Sequence, residues 1–139
     1  MNNRRRIVIA LGATALSPLA YAQAKRPLPQ IGYVGNSTSA LEASLVQGFR
    51  QGLREHGYVE GENIIVHYRW ASGKIDELPI LIDQLLALKV DMLITSGTPA
   101  VIAAKKATKT VPIVMAAVGD AVGSGIVPSL AHQIGRAHV

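Results

Sequence analysis

The sequence predicts an α/β fold: a parallel β-sheet with flanking helices, in the order βαβαβαβ. Short apolar runs alternate with amphipathic segments, and only short loops separate them. This alternation indicates parallel strands joined by right-handed helical crossovers. The clearest unit begins with an apolar run over residues 90–95, which is typical of a strand buried on both faces. A two-residue turn follows. Thr98 and Pro99 then predict the N-cap and the first position of a helix over residues 101–109.

Charge and cysteine content exclude several classes of function. The chain has 139 residues, enough for one domain with a hydrophobic core, and it has no cysteine, so it forms no disulfide and no cysteine-ligated metal site. The formal net charge of +5 comes from the two ends, because basic and acidic residues nearly balance over residues 23–132. A nearly neutral body with few aromatic residues argues against a nucleic-acid partner.

The N-terminus predicts export. Arginines at positions 4 to 6 precede an apolar run over residues 7–19, and Ala20-Tyr-Ala22 is a small-x-small cleavage site, so residues 1–22 are interpreted as a signal peptide. Residues 23–29 then form a linker. The predicted location is periplasmic, by the Sec or the twin-arginine route. The alternative is an N-terminal membrane anchor, although the apolar run is short for a membrane span.

The C-terminus has an unusual composition. Ile134-Gly-Arg-Ala-His-Val139 resembles the translation of a common sequencing-library adapter, in the reading frame that a CAG codon for Gln133 would set. We therefore interpret residues 133–139 as adapter-derived and expect the native sequence to end at His132, leaving an α/β lobe over residues 30–132 that is incomplete. A natural basic tail is the alternative.

The first helix follows a short apolar strand over residues 30–34. Ser39 and Glu42 have the spacing of a capping box, which opens a helix that reaches His56. Gly57 stands where a helix-terminating glycine is expected. The predicted apolar stripe of this helix recurs every four residues, at Leu41, Leu45, Phe49 and Leu53.

The remaining elements follow the same alternation. Residues 64–70 predict a strand near the edge of the sheet, and Pro79 lies in the first turn of the next helix, where proline is tolerated. Residues 111–118 predict the fourth strand, with Pro112 at its start, and residues 126–131 predict a further helical segment. The predicted inner face of the second helix consists of Leu78, Ile82, Leu85 and Leu86.

No motif in the sequence predicts catalysis or a cofactor. The four histidines lack the spacing of metal ligands, and the chain contains neither a phosphate-binding glycine loop nor a nucleophile elbow. Ser96 has no adjacent base that would make it a nucleophile. We therefore expect no metal, no cofactor and no enzymatic activity.

Polar loops follow three of the predicted strands, and the carboxyl ends of parallel strands meet at one edge of a sheet, where ligands bind. Free N–H groups at a helix start, with hydroxyl groups beside them, suit a small anion such as a carboxylate. A purely structural turn with an ordinary cap is the alternative. The candidate binding residues are Asn36, Ser37, Ser96, Gly97, Thr98 and Asp120.

Two motifs give the chain a family resemblance, Gly57-Tyr-Val-Glu-Gly-Glu-Asn63 and Gly97-Thr-Pro-Ala100, supported by Ile31-Gly-Tyr33 and Val118-Gly-Asp120. Over residues 30–132 the chain resembles the substrate-binding proteins of ABC transporters of the tryptophan/tyrosine type, which have the type I periplasmic-binding-protein fold. The family often has proline after the Gly-Asp pair, where this sequence has Ala121. The resemblance implies the first of two lobes that close on a small ligand.

The resemblance also implies a function and partners. The chain would belong to an exported solute-binding protein, a monomer at full length, that delivers an amino-acid-like ligand to a membrane permease. Aromatic amino acids are the ligands that the resemblance favours. Ser96 and Thr98 would hold the ligand carboxylate, Asn36 and Ser37 would add polar contacts, and Asp120 would either accept from the ligand ammonium or cap a helix. The alternatives are a flavodoxin-like or hydrolase-type enzyme domain and the sensor domain of a transcription regulator.

Overall fold

The computed structural model describes residues 26–119 and 123–125, and these form a four-stranded sheet with helices on both faces. All three strand pairings are parallel, and the strand order is β2-β1-β3-β4. The elements are β1 (Gln30–Gly35), α1 (Ala43–Glu55), β2 (Ile65–Trp70), a 3-10 turn (Ile75–Glu77), α2 (Leu78–Ala87), β3 (Met92–Ser96), α3 (Thr98–Ala107) and β4 (Ile113–Ala117). The predicted fold class is confirmed.

One face of the sheet is covered by α2 and α3. Its core is aliphatic, and three of the four residues predicted for the inner face of α2 are fully buried, with Leu86 partly buried beside them. Apolar burial of this kind is the main driving force for folding. The residues that form this core are Val34, Ala71, Leu78, Ile82, Leu85, Val90, Leu93, Ala100 and Ala104.

The opposite face is covered by α1 and has an aromatic core. Tyr33 is fully buried at its centre, with Ile31, Val46, Ile64 and Ile94 around it. Tyr33 also contacts three other rings, with centroids 5.4 to 6.0 Å away, in the tilted arrangements that aromatic pairs favour. These rings belong to Phe49, Tyr68 and Trp70.

The predicted apolar stripe of α1 is half right. Phe49 and Leu53 pack on the sheet, but Leu41 is 77% exposed and Leu45 is 41% exposed, and Val46 is the residue that α1 buries. Leu41 lies before α1, which begins only at Ala43. Leu45 rotates away from the sheet because the four-residue spacing drifts around a helix that has 3.6 residues per turn. Gly57, with φ +81°, follows the end of α1 as predicted.

Several expectations fall outside the described residues. They concern the signal peptide over residues 1–22, Asp120, the helical segment 126–131, and the tail after His132. Within residues 26–119 and 123–125, no helix combines the length and the apolar character that a membrane span requires.

Candidate functional site

The loops that follow β1 and β3 meet at the carboxyl edge of the sheet. The backbone N–H of Asn36 donates to the carbonyl of Ser96 at 3.0 Å, and its carbonyl accepts from the N–H of Gly73 at 2.8 Å, which ties in the loop after β2. A Cβ atom placed on Gly97 would lie 2.8 Å from the Cβ of Asn36. The structure thus brings together three of the predicted binding residues, Asn36, Ser96 and Gly97.

A bulge lies where the end of β3 pairs with β4. Thr95 pairs with Met115 and Ser96 with Ala117, so the extra residue is Ala116 of β4. The N–H of Gly97 then donates to the carbonyl of Ala117 at 2.6 Å. Gly97 has φ +93°, a conformation that side chains disfavour, and the chain turns there into α3. Bulges of this kind often re-aim a chain next to a binding site.

The prediction that Thr98 caps α3 is wrong by one residue. Gly97 is the N-cap, Thr98 is the first helical residue and Pro99 the second, and no side chain caps the helix. Gly97 takes this role because its backbone has the non-helical conformation that an N-cap requires. The hydroxyl of Thr98 is therefore not used for capping, and the first intrahelical bond starts only at Val101, whose N–H lies 3.3 Å from the Gly97 carbonyl.

The loop after β4 also approaches this edge. A Cβ atom placed on Gly119 would lie 4.0 Å from Oγ1 of Thr98. Three strand ends therefore surround the start of α3. Asp120, the last predicted binding residue, follows Gly119 and lies outside the described residues.

A buried carboxylate lies behind the first loop. Glu42 is only 5% exposed, and its Oε1 accepts from both the N–H and the hydroxyl of Ser37, at 3.0 and 2.9 Å. Its Oε2 accepts from the phenol of Tyr33 at 3.1 Å. The predicted capping box with Ser39 is therefore wrong. Glu42 stands at the N-cap position of α1 without a side-chain capping bond, because its carboxylate serves Ser37 and Tyr33.

Tyr33 connects this carboxylate to the end of β3. Its phenol also hydrogen bonds to the Ser96 hydroxyl, which lowers its pKa, while burial and, less strongly, the nearby Glu42 raise it; the net result is a pKa of about 12. Tyr33 therefore keeps its proton at neutral pH and donates it to Glu42. The chain Ser96–Tyr33–Glu42–Ser37 links the ends of β3 and β1 through side chains.

Close packing over Gly35 holds Glu42 and Trp70 in place. A Cβ atom on Gly35 would lie 2.6 Å from the Trp70 ring and 2.7 Å from Oε1 of Glu42. Only glycine leaves room for both groups at the end of β1. Sequence reasoning missed Glu42, Tyr33 and Trp70 as parts of this edge. One available signal was Tyr33 itself, since a tyrosine in a buried strand needs a hydrogen-bond partner for its hydroxyl.

One polar atom at the edge has no partner within the part of the chain that the structure describes. The side-chain oxygen Oδ1 of Asn36 is buried and makes no hydrogen bond there. Buried polar atoms are nearly always paired, so an atom of this kind next to a predicted ligand site is a potential ligand contact.

A second concave region runs along α1 and β2. It comprises grooves of about 280 and 600 Å³, with Arg50 and Arg54 on the walls of both. Three of the polar side chains there bind one another: Arg50 Nε and the Tyr68 hydroxyl donate to the same Glu60 oxygen at 2.9 and 2.7 Å, and the guanidinium lies 5.1 Å from the Tyr68 ring centre. These contacts join the helix to the edge strand.

The described residues contain no group of three or more His, Cys, Asp or Glu side chains that could hold a metal ion. What the edge does offer is a helix start without a side-chain cap, the hydroxyls of Ser37 and Thr98, and the amide oxygen of Asn36. These groups have the chemistry that suits a small polar ligand, so this edge of the α/β sheet is the candidate binding site.

Comparison with known proteins identifies the family. The sequence pattern of the family described as ABC transporter substrate binding protein matches residues 37–135. This chain therefore belongs to that family.

Individual relatives are similar in sequence and in structure. The chain is 34% identical over 84 residues to a tyrosine-binding protein of Clostridioides difficile (strain R20291), covering 60% of this chain and 24% of that protein. It superimposes on a conserved domain protein from Vibrio cholerae O1 biovar eltor (TM-score 0.70, 31% identity) and on an ABC domain in complex with L-Trp from Streptococcus pneumonia (TM-score 0.69, 26% identity). Each superposition covers 75% of this chain and 35% of the other, so the chain spans about a third of the solved relatives.

Proposed function

We propose that this chain supplies one lobe of an exported solute-binding protein, which binds an amino-acid-like ligand and delivers it to the permease of an ABC importer. The observation that carries the proposal is the meeting of the β1 and β3 loops at the uncapped start of α3, in a chain of this family. The tyrosine-binding relative and the L-Trp complex support an aromatic amino acid as the ligand.

The ligand carboxylate is assigned to the start of α3. The N–H of Thr98 precedes the first intrahelical hydrogen bond, and its hydroxyl has no capping role. Such groups, together with the positive end of the helix dipole, stabilise an anion. Asn36 and Ser37 add contacts from the neighbouring loop, Gly97 lets the backbone approach, and Asp120 is retained as a partner for the ligand ammonium.

The organisation of the whole protein is part of the same proposal. Residues 1–22 serve as the signal peptide, residues 23–29 as a linker, residues 30–132 as the lobe, and residues 133–139 are adapter-derived. The mature protein is then periplasmic, and N-terminal sequencing of the exported product should start at Gln23. A product that keeps Met1 in the membrane fraction would contradict export.

Ligand binding needs a two-lobed protein, because such proteins bury the ligand between lobes. We define the fusion protein as this chain followed by the part of the streptococcal relative that it does not cover. Calorimetric titration of the fusion protein with L-tryptophan and L-tyrosine should give saturable binding with one site, whereas a sugar such as glucose should give none. Absence of binding to both amino acids would contradict the proposed function.

The enzyme and regulator alternatives are weaker. Membership of the substrate-binding family favours transport over both. Of the two serines at this edge of the described structure, Ser96 is 4% exposed and hydrogen bonds to a tyrosine instead of a base. A nucleophilic serine needs an adjacent general base, so this geometry does not favour hydrolysis.

A further inference from the structure

The buried carboxylate of Glu42 determines where the protons of the site lie. A carboxylate can only accept hydrogen bonds, and a hydroxyl carries a single proton. The Ser37 hydroxyl is 2.9 Å from Oε1 of Glu42, so its proton points inward to that oxygen. The Ser37 oxygen then has only lone pairs to offer toward the loop side.

The same reasoning applies along the second arm of the network. The Tyr33 phenol donates to Oε2 of Glu42 at 3.1 Å, so its oxygen is left as an acceptor, and the Ser96 hydroxyl donates to it. The raised pKa of Tyr33 keeps this donor protonated. The hydroxyl protons of Ser37 and Tyr33 are therefore both directed at the one buried carboxylate, that of Glu42.

We propose that Glu42 is a specificity-determining, positioning residue: by drawing these protons inward it leaves Ser37 as a hydrogen-bond acceptor, which selects the ammonium group of an amino acid. The inference rests on the proposed function. The unpartnered Oδ1 of the adjacent Asn36 is a second acceptor of this loop, and Asn36 lies against the start of α3, where a Cβ atom on Gly97 would be 2.8 Å from the Asn36 Cβ. The Ser37 hydroxyl oxygen and Asn36 Oδ1 are called the acceptor pair. The carboxylate of the ligand is assigned to Thr98, and two of the three N–H donors of its ammonium group to this acceptor pair.

This division assigns different chemistry to the two loops. The loop after β1 presents oxygens and suits a cation, whereas the start of α3 presents N–H groups and suits an anion. A zwitterionic α-amino acid matches both, and the same molecule without its amine matches only the second. Glu42 is thus expected to control one quantity, the ratio of the affinity for an amino acid to the affinity for the same molecule without its amine.

The test compares L-tryptophan with indole-3-propionate, which lacks only the amine, by calorimetric titration of the fusion protein. The wild type should bind L-tryptophan at least 100-fold more tightly. In Glu42→Met both carboxylate oxygens are lost, so the Ser37 hydroxyl has no inward acceptor and turns outward as a donor, and the affinity ratio between the two ligands should fall at least 10-fold. The affinity for indole-3-propionate should change less than 3-fold, and the control Glu62→Met, at an exposed turn residue, should keep the wild-type ratio.

Ser37→Ala provides a second, independent variant, with the exposed Ser39→Ala as its control. It should lower the ratio to a similar degree, and the double variant with Glu42→Met should lower it no further, because Glu42 acts through Ser37. Equal losses for both ligands in Glu42→Met, or an unchanged ratio in Ser37→Ala, would overturn the inference and leave the proposed function intact. A wild type that binds neither L-tryptophan nor L-tyrosine would overturn both.

Discussion

The cores on the two faces of the sheet consist of different kinds of side chain. The face under α2 and α3 is aliphatic, and Leu78, Ile82 and Leu85 from α2 alone are fully buried. The face under α1 is aromatic and polar, and Val46 is the one buried residue that α1 contributes to it. One face therefore contributes mainly apolar burial, whereas the other also carries the hydrogen bonds that orient the edge.

This difference separates stability from specificity. Apolar contacts are non-directional, so the aliphatic face can hold the strands together without fixing any single hydroxyl. The hydrogen bonds among Tyr33, Glu42 and Ser37 are directional, so the orientation of each side chain is fixed by its partner. We expect changes on the first face to alter the free energy of unfolding and changes on the second to alter ligand preference.

The largest expected effect is on stability. Leu85→Ala removes a fully buried side chain from the aliphatic face and should lower the free energy of unfolding by about 3–4 kcal/mol. Leu53→Ala, on the half-buried side of α1, should cost only about 1–2 kcal/mol. Urea denaturation of the chain followed by circular dichroism measures both. Equal losses would show that the two faces contribute alike.

The second effect concerns backbone conformation at the edge. Gly97→Ala places a Cβ 2.8 Å from Asn36 on a residue with φ +93°, so we expect a loss of about 2 kcal/mol in stability and weaker L-tryptophan binding by the fusion protein. Gly48→Ala is the matched control. It lies in α1 with open space around it and should instead stabilise the chain by about 0.5–1 kcal/mol. If Gly97→Ala left both the free energy of unfolding and L-tryptophan binding unchanged, the turn at residue 97 would not be constrained as argued.

The strands and their order of connection could be predicted from the sequence because apolar periodicity and short connections leave few topologies. The fourth strand and the position of Pro79 in the first turn of α2 agree with the structure. Residues 65–70 form an edge strand of the described sheet, also as predicted.

The details of the candidate site could not be predicted in the same way. Glu42 has the sequence spacing of a capping residue, but the buried Tyr33 hydroxyl and Ser37 compete for its carboxylate, and the competition depends on tertiary packing. Thr98 is predicted to be the N-cap of α3 but is its first helical residue. Nothing in the sequence shows that the bulge in the β3–β4 pairing and the positive φ of Gly97 move the N-cap to Gly97.

The smallest of the expected changes is at Thr98. Since it does not cap α3, Thr98→Ala should weaken L-tryptophan binding to the fusion protein by about 1 kcal/mol, the value of one hydrogen bond, with little change in the unfolding midpoint. Calorimetric titration and thermal unfolding of the same sample separate the two quantities. Lower stability with unchanged affinity would mean that Thr98 has a structural role only.

Hydrogen–deuterium exchange of the fusion protein with and without L-tryptophan tests the central claim most directly, because it locates the ligand along the chain. The account predicts slower exchange on binding for the backbone amides of residues 36–38, 97, 98 and 100, and no change in α2; Pro99 has no amide hydrogen. Slower exchange confined to the groove along α1 and β2, around Arg50 and Arg54, with residues 36–38 and 97–100 unaffected, would contradict it.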